Sequence, residues 1–137
     1  MSLSSSEVEA VTISFTKVAP KSDQFSEQFY NYLFEQHPEV KPMFEKITIR
    51  EQGRKLMQTL GMVVGSAGRI DAIIPDVQSL GKRHVAYGVK EEHYPLVGEA
   101  LLWTLEQTLE DDFTPEVKSA WAKMYDIMTE IACEAYK

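Results

Sequence analysis

The stretch LGKRHVAYGVKEEHYPLVG, Leu80 to Gly98, decides how the chain is read. His84 follows Ile73, Val77 and Leu80 at spacings of four, three and four, the rows of one helix face. That helix turns an imidazole inward among aliphatic side chains. Gly88 supplies its stop, because glycine takes the left-handed conformation that closes a helix. A further helix opens at Glu91-Glu92 and points Val97, Leu101, Leu102, Leu105 and Leu109 inward.

The same periodicity runs outward in both directions. Upstream, Ser4 is an N-cap for a stripe of Val8, Val11, Phe15 and Val18 that ends at Pro20. A second helix starts near Ser22-Asp23 with Phe25, Phe29, Tyr30, Leu33 and Phe34. It breaks at His37-Pro38, since the residue before proline avoids the α region. A short helical turn spans Pro38 to Phe44, and Thr48 opens a long helix that stops at Gly65 and Gly68. Pro75 divides or kinks the segment from Ile70 to Tyr87. Downstream, Asp111-Asp112 close one helix and Thr114-Pro115-Glu116 start the last, which is expected to run to the end through Val117, Trp121, Tyr125, Met128 and Ala132. The fold class is all-α, with six to eight helices packed at crossing angles, because proline and glycine mark the corners.

Bulk properties narrow the function. At 137 residues with 44% hydrophobic and 26% charged side chains, residues 1–137 read as one domain with a real core. A net charge of −7 disfavours nucleic acid, and no polybasic cluster marks a membrane surface. Cys133 is the single cysteine, so neither an internal disulfide nor a covalently attached c-type haem is expected. The opening MSLSSSEVEA lacks the pattern of a signal peptide, and the expected location is cytoplasmic.

Several side chains carry two readings. An inward histidine such as His84 is ordinarily core, hydrogen-bonded to a carbonyl. One histidine cannot build a structural zinc site, but it suffices as a metal ligand where a porphyrin supplies the rest. Tyr30 is either core or the polar wall of a pocket, and Phe44 either core or a wedge against a flat ligand. Gln52 shares a face with Leu56 and would otherwise be a solvated surface residue. Gly53, inside a helix where glycine costs about 1 kcal/mol relative to alanine, suggests a helix passing close by.

The order Tyr30, Phe44, Gln52 with Leu56, then His84 after 32 residues, resembles the globin family. The strings FYNYLFEQHPEVKPMF, QGRKLMQTLG, LGKRHVAYGVKEEHYPLVGEALL and AWAKMY are similar to bacterial single-domain globins and to the globin domain of flavohaemoglobins. The resemblance covers nearly the whole chain. It implies a globin fold around haem b (iron protoporphyrin IX), with His84 as the metal ligand and Phe44, Leu56 and Tyr94 as cofactor-binding residues. It makes Tyr30 and Gln52 the distal pair that stabilises bound O2, NO or CO. Lys55, Lys82 and Arg83 could meet the haem propionates, or could be ordinary solvated cations.

Two departures stand out. Where flavohaemoglobins carry a glutamate that polarises the proximal histidine, the position counted from Trp121 holds Tyr136, with Glu134 nearby but out of register. The sequence also has no GxGxxG, so a separate reductase would have to supply electrons. The implied tasks are NO detoxification as an NO dioxygenase, O2 storage or delivery without turnover, ligand sensing, or a haem-free signalling module. His37 and His93 read as structural, and Cys133 as a packing residue.

Overall fold

The computed structural model describes residues 2–44 and 48–137, and among them every regular element is helical. The described residues form six α-helices, with short 3-10 turns at several of the corners: α1 (Ser5–Val18), α2 (Ser22–Gln36), α3 (Ile49–Gly65), α4 (Ile74–Ala86), α5 (His93–Leu109) and α6 (Pro115–Ala132). Their starts follow local chemistry. The Ser4 hydroxyl accepts the Glu7 amide proton at 3.1 Å while the Glu7 carboxylate takes the Ser4 N–H at 2.7 Å, a reciprocal cap. Thr48 and Thr114 accept from Glu51 and Val117 at 3.2 and 3.3 Å, and Pro115 sits in the first turn of α6.

The stretch from Ile70 to Tyr87 is two pieces, a 3-10 turn over Ile70–Ile73 and then α4, with Pro75 in the first turn of α4, where its missing N–H costs nothing. Gly88 follows α4 with φ +87°, as a left-handed stop requires. α5 begins at His93, two residues after the expected Glu91. The last helix stops at Ala132 and tightens into a 3-10 turn over Cys133–Tyr136.

Packing sets the frame for the site. α2 lies on α3 and α5, α1 on α6, and α4 on α6 and the turn after it. Gly53 is where α2 and α3 meet: a Cβ there would stand 2.6 Å from Ser26 Oγ and 2.9 Å from Ser26 Cβ. Trp121 is fully buried and donates its indole N–H to Ser14 Oγ at 2.8 Å, which fixes α6 against α1. Among the described residues no helix is long and apolar enough to cross a membrane.

Candidate functional site

A cavity of about 190 Å³ opens between α3, α4, α5 and α6. Leu56, Leu60 and Val63 of α3 form one wall, and Val77, Leu80 and His84 of α4 form another. Met124 and Met128 of α6 and Val97 and Leu101 of α5 close it. The walls are apolar, and the polar groups among the lining residues are Thr59, His84, His93, Tyr94, Tyr125 and Thr129.

Two histidines therefore line the cavity, one more than the sequence indicated, and their hydrogen bonds separate them. His84 Nδ1 lies 2.8 Å from the Leu80 carbonyl oxygen. A carbonyl only accepts, so Nδ1 carries the proton and the lone pair stays on Nε2. His93 is the reverse. Its Nδ1 accepts the Lys90 backbone N–H at 3.0 Å, so its proton is on Nε2 and its lone pair is already used. Burial pushes the His84 imidazole below its ordinary pKa, partly opposed by the Leu80 carbonyl, with the Arg83 charge adding to the lowering. A neutral imidazole with a free Nε2 lone pair is the form a metal takes.

The other sequence-derived residues divide by place. Leu56 and Tyr94 line the cavity. Tyr30 is buried in an aromatic cluster behind Phe29, itself a lining residue, with ring centroids 4.9 Å from Phe29 and 5.6 Å from Phe44. Burial pushes the Tyr30 phenol up to about 12, with the Gln52 amide at its side pulling the other way. Phe44 is half-buried and also 5.4 Å from Phe34. Lys55, Lys82 and Arg83 are exposed, and Arg83 Nη1 donates to Ser79 Oγ at 3.2 Å. His37 caps α2 through its backbone, 3.8 Å from the Glu39 carboxylate, away from the cavity lining.

Behind His84 lies a tyrosine group. The Tyr94 ring is 6.1 Å from the His84 ring and 6.1 Å from that of Tyr136. Among the described residues its buried hydroxyl has no hydrogen-bond partner. Tyr125 donates to the Tyr94 carbonyl at 2.6 Å, in space that Gly98 leaves open: a Cβ on Gly98 would stand 2.7 Å from that ring. Glu134 is exposed and accepts from Gln78 Nε2 at 3.2 Å, so its carboxylate faces α4 and not Tyr94. Burial raises the phenols of Tyr94 and Tyr125 as well as that of Tyr30. All three fold as phenols, so the stability they carry is full below the unfolded tyrosine pKa of about 10 and is lost as pH rises through their higher folded values. In an alkaline titration followed by tyrosinate absorbance, these three should ionise last and together with unfolding. Tyr30→Phe should remove one late proton.

Among the described residues no cluster of three or more metal-ligating side chains is assembled. The cavity instead offers one imidazole nitrogen that is not already hydrogen-bonded, in an apolar space among α3, α4, α5 and α6, a donor set that suits a flat apolar group bringing its own equatorial ligands. That defines the class as a helical protein with a histidine-walled apolar cavity. The Globin family model matches residues 27–131. The chain is 35% identical over 108 residues to the flavohemoprotein of Bacillus subtilis (strain 168), covering 75% of this chain and 26% of that protein. It is 32% identical over 131 residues to the flavohemoprotein of Bacillus cereus (strain ATCC 14579), covering 93% of this chain and 32% of that protein. The chain thus spans between a quarter and a third of the length of these relatives. It belongs to the globin family, and its fold is the all-α globin fold.

Proposed function

We propose that this globin holds haem b, with His84 Nε2 as the residue that would ligate its iron, that the loaded protein would bind O2, NO and CO, and that it serves in NO detoxification. The observation that carries the reading is the His84 tautomer, which leaves the one uncommitted imidazole lone pair among the two histidines of the cavity. When bound, the haem supplies the iron at which the diatomic ligand sits and the redox chemistry that follows.

The chain supplies orientation and polarity. Leu80 holds His84 in one tautomer. Leu56 and its aliphatic neighbours would keep water out, and Phe44 would help to hold the haem. We assign Lys55, Arg83 and Tyr94 to the cofactor as well: the two exposed cations would pair with its carboxylates, and Tyr94, with its ring 6.1 Å from that of His84, would help to hold it. Tyr30 and Gln52 form the distal pair. Both are uncharged near neutral pH, since the phenol ionises only at about 12 and an amide does not titrate, so the donors survive mild acid. A donor aimed at a ligand that gathers negative charge stabilises it.

The relatives are named flavohemoproteins, haem proteins that carry flavin, and this supports a flavin-bearing reductase as the electron source for NO dioxygenase turnover. Replacing Tyr30 with Phe removes one hydrogen bond to a charged acceptor, about 1.5–3 kcal/mol, and should speed O2 release tenfold or more in a stopped-flow measurement. An unchanged off-rate would remove Tyr30 from the distal site. NO consumption in the presence of a reductase separates the enzyme from an O2 store.

A further inference from the structure

Charge is sorted along this chain. Residues 41–90 hold nine lysines and arginines against four carboxylates, a net of +5, while the remainder holds five against seventeen, a net of −12. The basic span comprises α3, α4 and the turns beside them, and both helices wall the cavity, α3 with Leu56 and α4 with His84. The eight described cations of the span are all exposed, Arg50, Arg54, Lys82 and Lys90 among them. Among the described residues none of the eight pairs with a carboxylate, whereas Lys17 and Lys123 of the acidic remainder pair with Asp112 and Glu7 at 3.0 Å. Of the four large apolar side chains exposed among the described residues, three fall in the same span. Met62 lines the cavity, and Val85 and Tyr87 stand where α4 ends, 42% and 65% exposed.

We propose that the basic side formed by α3 and α4 is a docking face for an acidic, flavin-bearing electron donor. The electron transfer rests on the haem reading above, whereas the docking does not. In that reading a reduced flavin gives one electron to ferric haem iron; the flavin is oxidised by one electron, the iron becomes ferrous and no bond is broken. A donor seated on α3 and α4 lies against the walls of the cavity itself. Interfaces need apolar contact as well as charge, and Met62, Val85 and Tyr87 offer it. Glu51, Asp71 and Asp76 are exposed among the cations. A lipid surface or a nucleic acid, negative throughout, would be repelled by them, whereas a folded partner can set a cation against each. The net charge of −7 opposes an acidic partner only from afar. At 0.1 M salt the Debye length is about 10 Å, shorter than the radius of gyration of about 14 Å for a chain of this length, so a partner at contact feels the face and not the whole.

The probe is flavodoxin, a small FMN protein of strongly negative charge. Its oxidised form is titrated by calorimetry into the protein as isolated, and its reduced form is mixed with the ferric haem-loaded protein in stopped flow. Both are followed from about 0.05 to 0.3 M NaCl, where screening becomes strong. Wild type should bind more weakly and be reduced more slowly as salt rises. Arg50→Glu with Lys82→Glu should weaken binding and slow reduction about tenfold at the lower salt. Lys21→Glu with Lys118→Glu is the control: it reaches the same net charge through exposed residues of the acidic remainder and should change either by less than about twofold. Reduction that quickens with salt, equal losses in the two variants, or no binding of flavodoxin by wild type would overturn the proposal. So would wild type that pellets with phosphatidylserine vesicles and ignores flavodoxin, which would give the face to a membrane. A wild type that takes up no haem would end the haem reading, while the calorimetric titration would still decide whether the face takes an acidic protein.

Discussion

Replacing His84 with Ala should leave a folded, helical protein that no longer retains haem. The side chain is half-buried and its one side-chain hydrogen bond runs to Leu80 within its own helix, so no hydrogen bond between helices depends on it. Helical content by circular dichroism should match wild type. The cofactor would lose the imidazole that ligates its metal. Losing a mere partner of a metal ligand already costs 10–100-fold in affinity, so losing the ligand itself should exceed ~100-fold. The Soret band should be absent or bleach on gel filtration, and added imidazole should restore it by filling the space the side chain left. His93→Asn is the matched control. Asparagine keeps an acceptor for the Lys90 N–H, and that histidine has no free lone pair to offer, so the Soret band and its shift with CO should persist. A His84→Ala protein with an unaltered CO-responsive band would move the ligand assignment to His93.

The reach of the sequence follows from the range of the forces involved. Caps are local, so Ser4, Thr48 and Thr114 could be read as helix starts and Gly88 as a stop. The inward face of α4 was legible because helical periodicity places Val77, Leu80 and His84 together. The crossing at Gly53 was legible too, because a mid-helix glycine costs stability and invites a packing reason. The same logic applies to Gly81, three residues before His84, but nothing local says what presses on it. Its partner, Ala132, lies 51 residues away.

Long-range choices stayed hidden for that reason. The Tyr136–Val89 bond spans 47 residues and the Trp121–Ser14 bond 107. His93 could be seen at a helix start but not in the cavity wall, because its orientation depends on the turn over Lys90 to Glu92. The expected end of the last helix was wrong by one turn. Over Cys133–Tyr136 the backbone tightens to 3-10 geometry where Tyr136 reaches Val89, a tertiary contact overriding a helical pattern.

Gly81 and Gly61 should therefore respond to alanine with opposite signs. Both lie inside α-helices, where alanine is favoured over glycine by about 0.8–1 kcal/mol. At Gly61 a new methyl would meet only Phe15 Cε2, 4.0 Å away and in ordinary van der Waals contact. Nothing opposes the propensity gain, so Gly61→Ala should stabilise the protein by about 0.5–1 kcal/mol in urea unfolding. At Gly81 the methyl would overlap the Ala132 backbone, and a backbone, unlike a flexible side-chain tip, yields only if a whole helix end moves. Overpacking costs about 1–3 kcal/mol and more where nothing relaxes, which outweighs the gain and leaves Gly81→Ala destabilised by roughly 1–2 kcal/mol. The displaced element would be α4, and with it His84. Loosened haem and an altered CO rebinding rate should accompany the lost stability at Gly81 and be absent at Gly61. A Gly81→Ala protein as stable as wild type would show that α4 and α6 can part without cost, and the contact could not then hold the histidine in place.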